Sequence, residues 1–125
     1  MTVKELYELA KNLMFEKKTS RDYDGYYMLW INVLLSEQFD LNNHLRLKHD
    51  KDILEKIPTV SNDDDVIPYE HEMCYEILPF GLAQNFFIDD DLAKYDIFHT
   101  YYENAMSKYM WGVEVTVEDV YGAVD

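Results

Sequence analysis

Apolar residues in the first half of the chain recur with the period of an α-helix, and that spacing restricts the fold more than any single residue does. Leu6, Leu9, Ala10, Leu13 and Met14 follow the i, i+3, i+4, i+7, i+8 pattern of one apolar face. Thr2 and Glu5 have the spacing of a capping box, in which each side chain satisfies a main-chain N–H at the helix start. The spacing predicts a helix over residues 3–17, ended by the polar Lys17, Lys18, Thr19 and Ser20. A second stripe runs through Tyr23, Tyr26, Tyr27, Trp30, Ile31, Leu34, Leu35, Gln38 and Phe39. Ser20 or Asp22 can cap it, no proline interrupts it, and Gly25 falls only in its first turns, so it predicts one helix continuing to about residue 47. Met28, Leu29, Val33 and Leu41 flank this stripe, so the middle of the helix is expected to be buried on several sides.

Residues 48–68 break the period. Pro58 and the run from Ser61 to Asp65 stop regular structure, which predicts a long connecting loop with one helical turn around residues 53–55. A third helix is expected from Pro68, a good first-turn residue. Pro79 lacks a donor and clashes with the preceding turn, so a kink or break is expected there before Leu82, Ala83, Phe86 and Phe87 resume the period. Asp89, Asp90 and Asp91 end this helix and can cap a fourth over residues 92–110, with Tyr95, Phe98, Tyr102, Ala105, Met106 and Tyr109 on one broad face. Val113, Val115 and Val117 then alternate with Glu114, Thr116 and Glu118, a strand-like period of two that seeks a partner strand. The resulting fold class is mainly α: a small bundle of about four helices with a long internal loop and a strand-like C-terminal extension. Residues 1–112 read as the helical domain, and residues 113–125 as an assembly tail in which Val113, Val115, Val117, Val120 and Tyr121 are candidate interface residues.

Charge and composition narrow the function. The 125 residues fit one domain able to bury its own core. The net charge is −14; residues 61–91 carry nine acids and no Lys or Arg, whereas residues 1–20 carry four Lys against three Glu. Such a balance argues against wrapping DNA through phosphate contacts. Aromatics make up 15% of the chain and eleven of them are Tyr, a residue suited to contact surfaces as well as to cores. Cys74 is the single cysteine, so no intramolecular disulfide is expected. The start lacks the apolar stretch of a signal peptide and no run is long enough to span a bilayer, which predicts a soluble protein made in a reducing compartment, without a membrane partner.

No catalytic motif stands out, and the chain is expected not to be an enzyme. His71 and Cys74 are spaced to reach one ion, but a small-domain metal site needs three or four ligands and no second pair completes the set; a buried thiol is the plainer reading of Cys74. Neither Asp triplet has the glycine and the twelfth-position glutamate of a calcium loop. His44, His49, His71 and His99 are scattered, Ser20, Ser36, Ser61 and Ser107 lie in no nucleophile elbow, and Gly81 is isolated from any phosphate-cradling loop. No cofactor or metal is expected.

The step Leu78-Pro79-Phe80-Gly81-Leu82-Ala83, followed by Asp89, Asp90 and Asp91 and by a helix with Phe98 and Tyr102, resembles the small helical head–tail connector proteins of tailed bacteriophages, also called adaptor or head-completion proteins. The opening from Thr2 to Ala10 and the end from Val117 to Gly122 are similar to phage versions as well. The chain departs from that pattern at Gln84, Asn85, Phe86 and Phe87, where a run rich in small residues and leucine would be more usual. The resemblance implies a virion structural protein of the neck, made in the bacterial host cytoplasm. It would form a ring, commonly of twelve copies in that family, between the portal protein and a tail or neck protein. Packaged DNA would pass through without specific binding, and the ring would help to retain it. In such a ring Asp63, Asp64 and Asp65 are the candidate channel-facing acids, since like charge lets DNA slide without sticking. A rival reading is an acidic regulatory binding protein, a DNA mimic or antitoxin-like inhibitor. A third is a small hydrolase assembled from scattered acids and histidines.

Overall fold

The computed structural model describes residues 1–15 and 22–110. Among these residues five α-helices form the bundle: α1 (Val3–Leu13), α2 (Tyr27–Glu37), α3 (Phe39–Lys48), α4 (Leu78–Phe86) and α5 (Leu92–Ser107), with a π-helical turn (Met73–Ile77) leading into α4. The expected fold class is corrected accordingly. The mainly α bundle stands, with five α-helices among the described residues against about four expected, but these residues contain no β-strand; their one β-type pairing is an isolated antiparallel bridge between Thr2 and Val66. The strand-like extension of residues 113–117, and with it the whole tail 113–125, lies outside the described residues.

Helix α1 begins as its sequence demands. Thr2 Oγ1 accepts from the Glu5 N–H at 3.2 Å, and the Thr2 N–H donates to Glu5 Oε1 at 3.3 Å, completing the capping box. Its buried face is rotated from the expected stripe: Val3, Leu6, Tyr7, Ala10 and Met14 are buried, while Leu9 and Leu13 are half-buried. Tyr7 causes the rotation, since its ring stacks on Tyr27 with centroids 4.2 Å apart and its hydroxyl donates to Asp24 at 2.8 Å. The helix stops at Leu13 rather than residue 17, and Phe15 takes a left-handed φ of 60° of the kind that closes helix ends.

The single long helix expected through residue 47 is two helices. Gln38 is the joint, with φ −100° and ψ 7°. Its side chain is buried, and its Nε2 donates to the Tyr102 hydroxyl and lies 2.9 Å from Met106 Sδ on α5. A long-range contact therefore bends the chain where no Pro or Gly does.

Residues 49–70 form the expected long loop, although no helical turn occurs at 53–55. Three asparagines hold it. Asn32 on α2 accepts from the Val60 N–H at 2.8 Å and donates to the Val60 carbonyl at 2.9 Å. Asn43 on α3 does the same to Leu54, at 2.8 and 3.1 Å, and Asn42 Oδ1 accepts from the Glu70 N–H at 2.8 Å. The amides thus stand in for a partner strand and satisfy main-chain groups that have no ladder of their own. The loop then crosses the start of α1, where Val3 N–H donates to the Asp65 carbonyl and Lys4 N–H to the Asp63 carbonyl, each at 3.0 Å.

The break expected at Pro79 takes the form of the π-turn. The Leu78 N–H reaches back five residues to the Met73 carbonyl, and Pro79, with no N–H to offer, occupies the first turn of α4. Helix α4 is the centre of the bundle: every residue but Phe80 is buried, and it packs chiefly on α5 and α1. Gly81 lets it approach so closely, because a Cβ there would lie 2.7 Å from Leu34 Cδ2 and 2.8 Å from Tyr102 Cε1. Asp91 caps α5 as expected, accepting from the Lys94 N–H at 3.1 Å, and α5 ends at Ser107, short of the expected residue 110.

Candidate functional site

Helix α2 carries two apolar stripes with the same spacing. Ile31, Leu34, Leu35 and the side chain of Gln38 face the core and are buried. Tyr26, Leu29, Trp30 and Val33 repeat the i, i+3, i+4, i+7 pattern on another side, where Leu29 is 60% exposed, Tyr26 44% and Val33 36%. A helix that is apolar all round belongs inside a larger structure, and a contiguous stripe of this kind marks a contact surface more strongly than scattered exposed side chains do.

One end of this stripe forms a wall of a cleft of about 230 Å³, lined by Tyr26, Leu29, Trp30, Asn85, Phe86, Asp89 and Asp90. Helix α4 supplies the floor and the α4–α5 junction supplies the two acids. Asp90 Oδ2 accepts from the Tyr23 hydroxyl at 3.3 Å. Asn85, only 7% exposed, ends a row of polar side chains that starts on α5. Glu103 Oε1 lies 3.0 Å from His99 Nε2, His99 Nδ1 lies 2.6 Å from Gln84 Oε1, and Gln84 Nε2 donates to Asn85 Oδ1 at 3.0 Å. Asn85 Nδ2 is buried with no acceptor among the described residues.

A second polar cluster is structural. Glu70, 5% exposed, takes His49 Nδ1 at 2.8 Å, Lys51 Nζ at 2.8 Å and Arg46 Nη1 at 3.5 Å. Burial pulls its carboxyl upward, but the hydrogen bonds from Lys51 and His49 outweigh this and hold it below the usual carboxylate range. His49 Nε2 also lies 2.8 Å from Glu72 Oε2, so both ring nitrogens face carboxylate oxygens and both must carry hydrogen. The hydrogen bond to Glu70 raises the His49 pKa above its ordinary value. The cluster clasps the end of the loop to the end of α3.

The residues singled out from the sequence fall in several places. Asp63 and Asp65 lie across the start of α1. Asp63 accepts from the Tyr27 hydroxyl, which is pushed up to about 12 by that bond and by burial. Asp65 accepts the Ser61 and Asn62 N–H groups at 2.8 and 3.0 Å, and these bonds hold its carboxyl below its usual value. Asp64 between them is exposed. Val113, Val115, Val117, Val120 and Tyr121 lie outside the described residues. His71 is exposed and its ring lies 4.5 Å from that of Tyr75, whereas Cys74 is buried with Sγ 3.5 Å from the Tyr69 carbonyl; burial pushes its thiol up to about 11. Among the described residues no three His, Cys, Asp or Glu side chains are grouped to hold a metal ion, and no helix is long and apolar enough to cross a membrane. Asn85 and the outer stripe of α2 were not apparent as a site, because Leu29 and Val33 read as core flank and Asn85 as a departure within an apolar run.

Set beside known protein families, characterised proteins and solved structures, the chain matches none.

Proposed function

We propose that this chain is a structural assembly subunit, without catalysis or cofactor, that joins a ring between the portal and the tail or neck of a tailed bacteriophage particle. The observation that carries the reading is the uncovered apolar stripe of α2. Burying Leu29 or Val33 against a neighbour would contribute about 1–2 kcal/mol each from apolar area alone. A ring needs two different patches that meet head to tail and close on themselves. The exposed Ile97 and Tyr101, one turn apart on α5, offer the second. The resemblance of the Leu78–Ala83 step and its acidic cap supports the choice of a phage connector among assembly proteins. The acids of residues 61–91 would keep the passage from holding DNA, with exposed Asp64 better placed for this than Asp63 and Asp65, whose side chains bind the protein itself.

The experiment is to mix the purified chain with portal rings of its own phage and image the mixture by negative stain. Portal rings capped by additional density are expected. Uncapped portals beside a monomer that competes with DNA for a basic protein would favour the acidic-inhibitor reading instead.

A further inference from the structure

We propose that the cleft between α2 and the α4–α5 junction receives an arginine side chain from an apolar peptide segment of a partner protein. This rests on reading the α2 stripe as an interface, and does not depend on the partner being a portal. Three features of the cleft converge. Its volume, about 230 Å³, is below the roughly 300–1,000 Å³ of small-molecule sites and suits a single long side chain. Its walls divide chemically: Leu29, Trp30 and Phe86 are apolar, and Asp89 and Asp90 supply carboxylates, with no cation among the lining residues. An arginine matches that division, because its methylene stem lies on apolar surface while its planar guanidinium pairs with carboxylates and stacks on aromatic rings. Lysine would keep the charge but lose the fork and the stacking.

The third feature is Asn85. Its Nδ2 is a buried donor without an acceptor among the described residues, and an unsatisfied buried donor costs about 1–3 kcal/mol. Its amide is held in place by Gln84, which is buried and bonded in turn to His99. A peptide that places arginine between Asp89 and Asp90 brings a main-chain carbonyl beside Asn85, and a shift of the buried amide toward the cleft would give Nδ2 that carbonyl as its acceptor. The net charge agrees: the chain carries −14, so a cationic segment is drawn to it and an acidic one is turned away.

The test is a titration of the full, ¹⁵N-labelled chain with the blocked tripeptide acetyl-leucyl-arginyl-leucine amide, followed at the Trp30 indole and the Asn85 side-chain amide. Saturable shifts at both groups are expected. The same peptide with lysine should bind more weakly. The glutamyl peptide should leave both groups unmoved. Asp89→Asn with Asp90→Asn, checked for unchanged circular dichroism, should weaken the arginyl peptide about tenfold, equivalent to about 1.4 kcal/mol. Asn85→Leu is a second, independent variant; its loss of affinity should be similar for the arginyl and lysyl peptides, since it removes a contact to the peptide backbone. Equal shifts from arginyl and glutamyl peptides, or no saturable shift, overturn the proposal. Groups that shift with protein concentration alone and do not respond to the arginyl peptide also overturn it and assign the cleft to a second copy of this chain. Because the peptide is measured on the isolated chain and capping on portal rings, either result can fail without the other.

Discussion

Helices α2 and α4 are almost equally apolar, yet their surroundings differ. In α4, Leu78, Pro79, Gly81, Leu82, Ala83 and Phe86 are all buried, and even Gln84 and Asn85 are drawn inside. In α2 only Ile31, Leu34 and Leu35 are buried, and of a second stripe of equal spacing Tyr26, Leu29 and Val33 are exposed while Trp30 is half-buried. Similar local preference has thus been used twice: once to fill the centre of the bundle, and once to leave apolar surface uncovered. The first use is satisfied within one chain, and the second calls for another.

Substitutions in the two helices should therefore behave oppositely. Leu82→Ala, at a fully buried site, should lower unfolding free energy by about 2–5 kcal/mol in chemical denaturation. Leu29→Ala should change it by less than about 0.5 kcal/mol in the isolated chain. A large loss at Leu29 would mean that α2 is already covered, and would erase the distinction.

The next effect belongs to Gly81. Alanine improves helix propensity by about 1 kcal/mol over glycine, but the added methyl would press on Leu34 and Tyr102. Overpacking should win, and Gly81→Ala is expected to destabilise by about 1–3 kcal/mol. A stabilised variant would show that α4 and α5 can separate freely. Asn32→Ala should be somewhat milder, about 1–2 kcal/mol, because it leaves the main chain of Val60 without partners. Hydrogen exchange should then speed up at Val60 and not at Leu82. Equal acceleration at both would indicate that the loop and the core open together.

The smallest effect is the pH response of the Glu70 clasp. The depressed Glu70 value makes its contribution present above about pH 4.3 and lost as pH falls through the lower folded value. The raised His49 value makes its contribution fully present below about pH 6.5 and lost as pH rises through the folded value. The two coincide in mildly acidic solution. His49→Gln should lower the melting temperature most near pH 5.5, about midway between these limits, and progressively less as pH rises above the folded His49 value. A deficit that grows with pH would contradict the clasp.

Much of the bundle was legible because its signals are local. The capping box of Thr2 and Glu5, the cap at Asp91 and the disturbance at Pro79 depend on residues a turn apart. The errors came from distant contacts. Tyr7 rotated α1 by stacking on Tyr27, and Gln38 split a helix by reaching Tyr102 on α5. Asn32 and Asn43 gave no sequence signal, since an asparagine that serves as a surrogate strand looks like any polar helix residue until its loop is in place. The cleft was hidden for the same reason: its walls come from Leu29 and from Asp90, which are far apart in the chain.

The claim that the outer stripe of α2 is an interface is tested most directly by sedimentation velocity of the chain, alone over a range of concentrations and with portal rings. The wild type should appear in species larger than its 14.9 kDa monomer, by self-association or bound to portal. Leu29→Glu combined with Val33→Glu should remain a folded monomer under the same conditions. A wild type that stays monomeric throughout, or a double variant that assembles as the wild type does, would contradict the account.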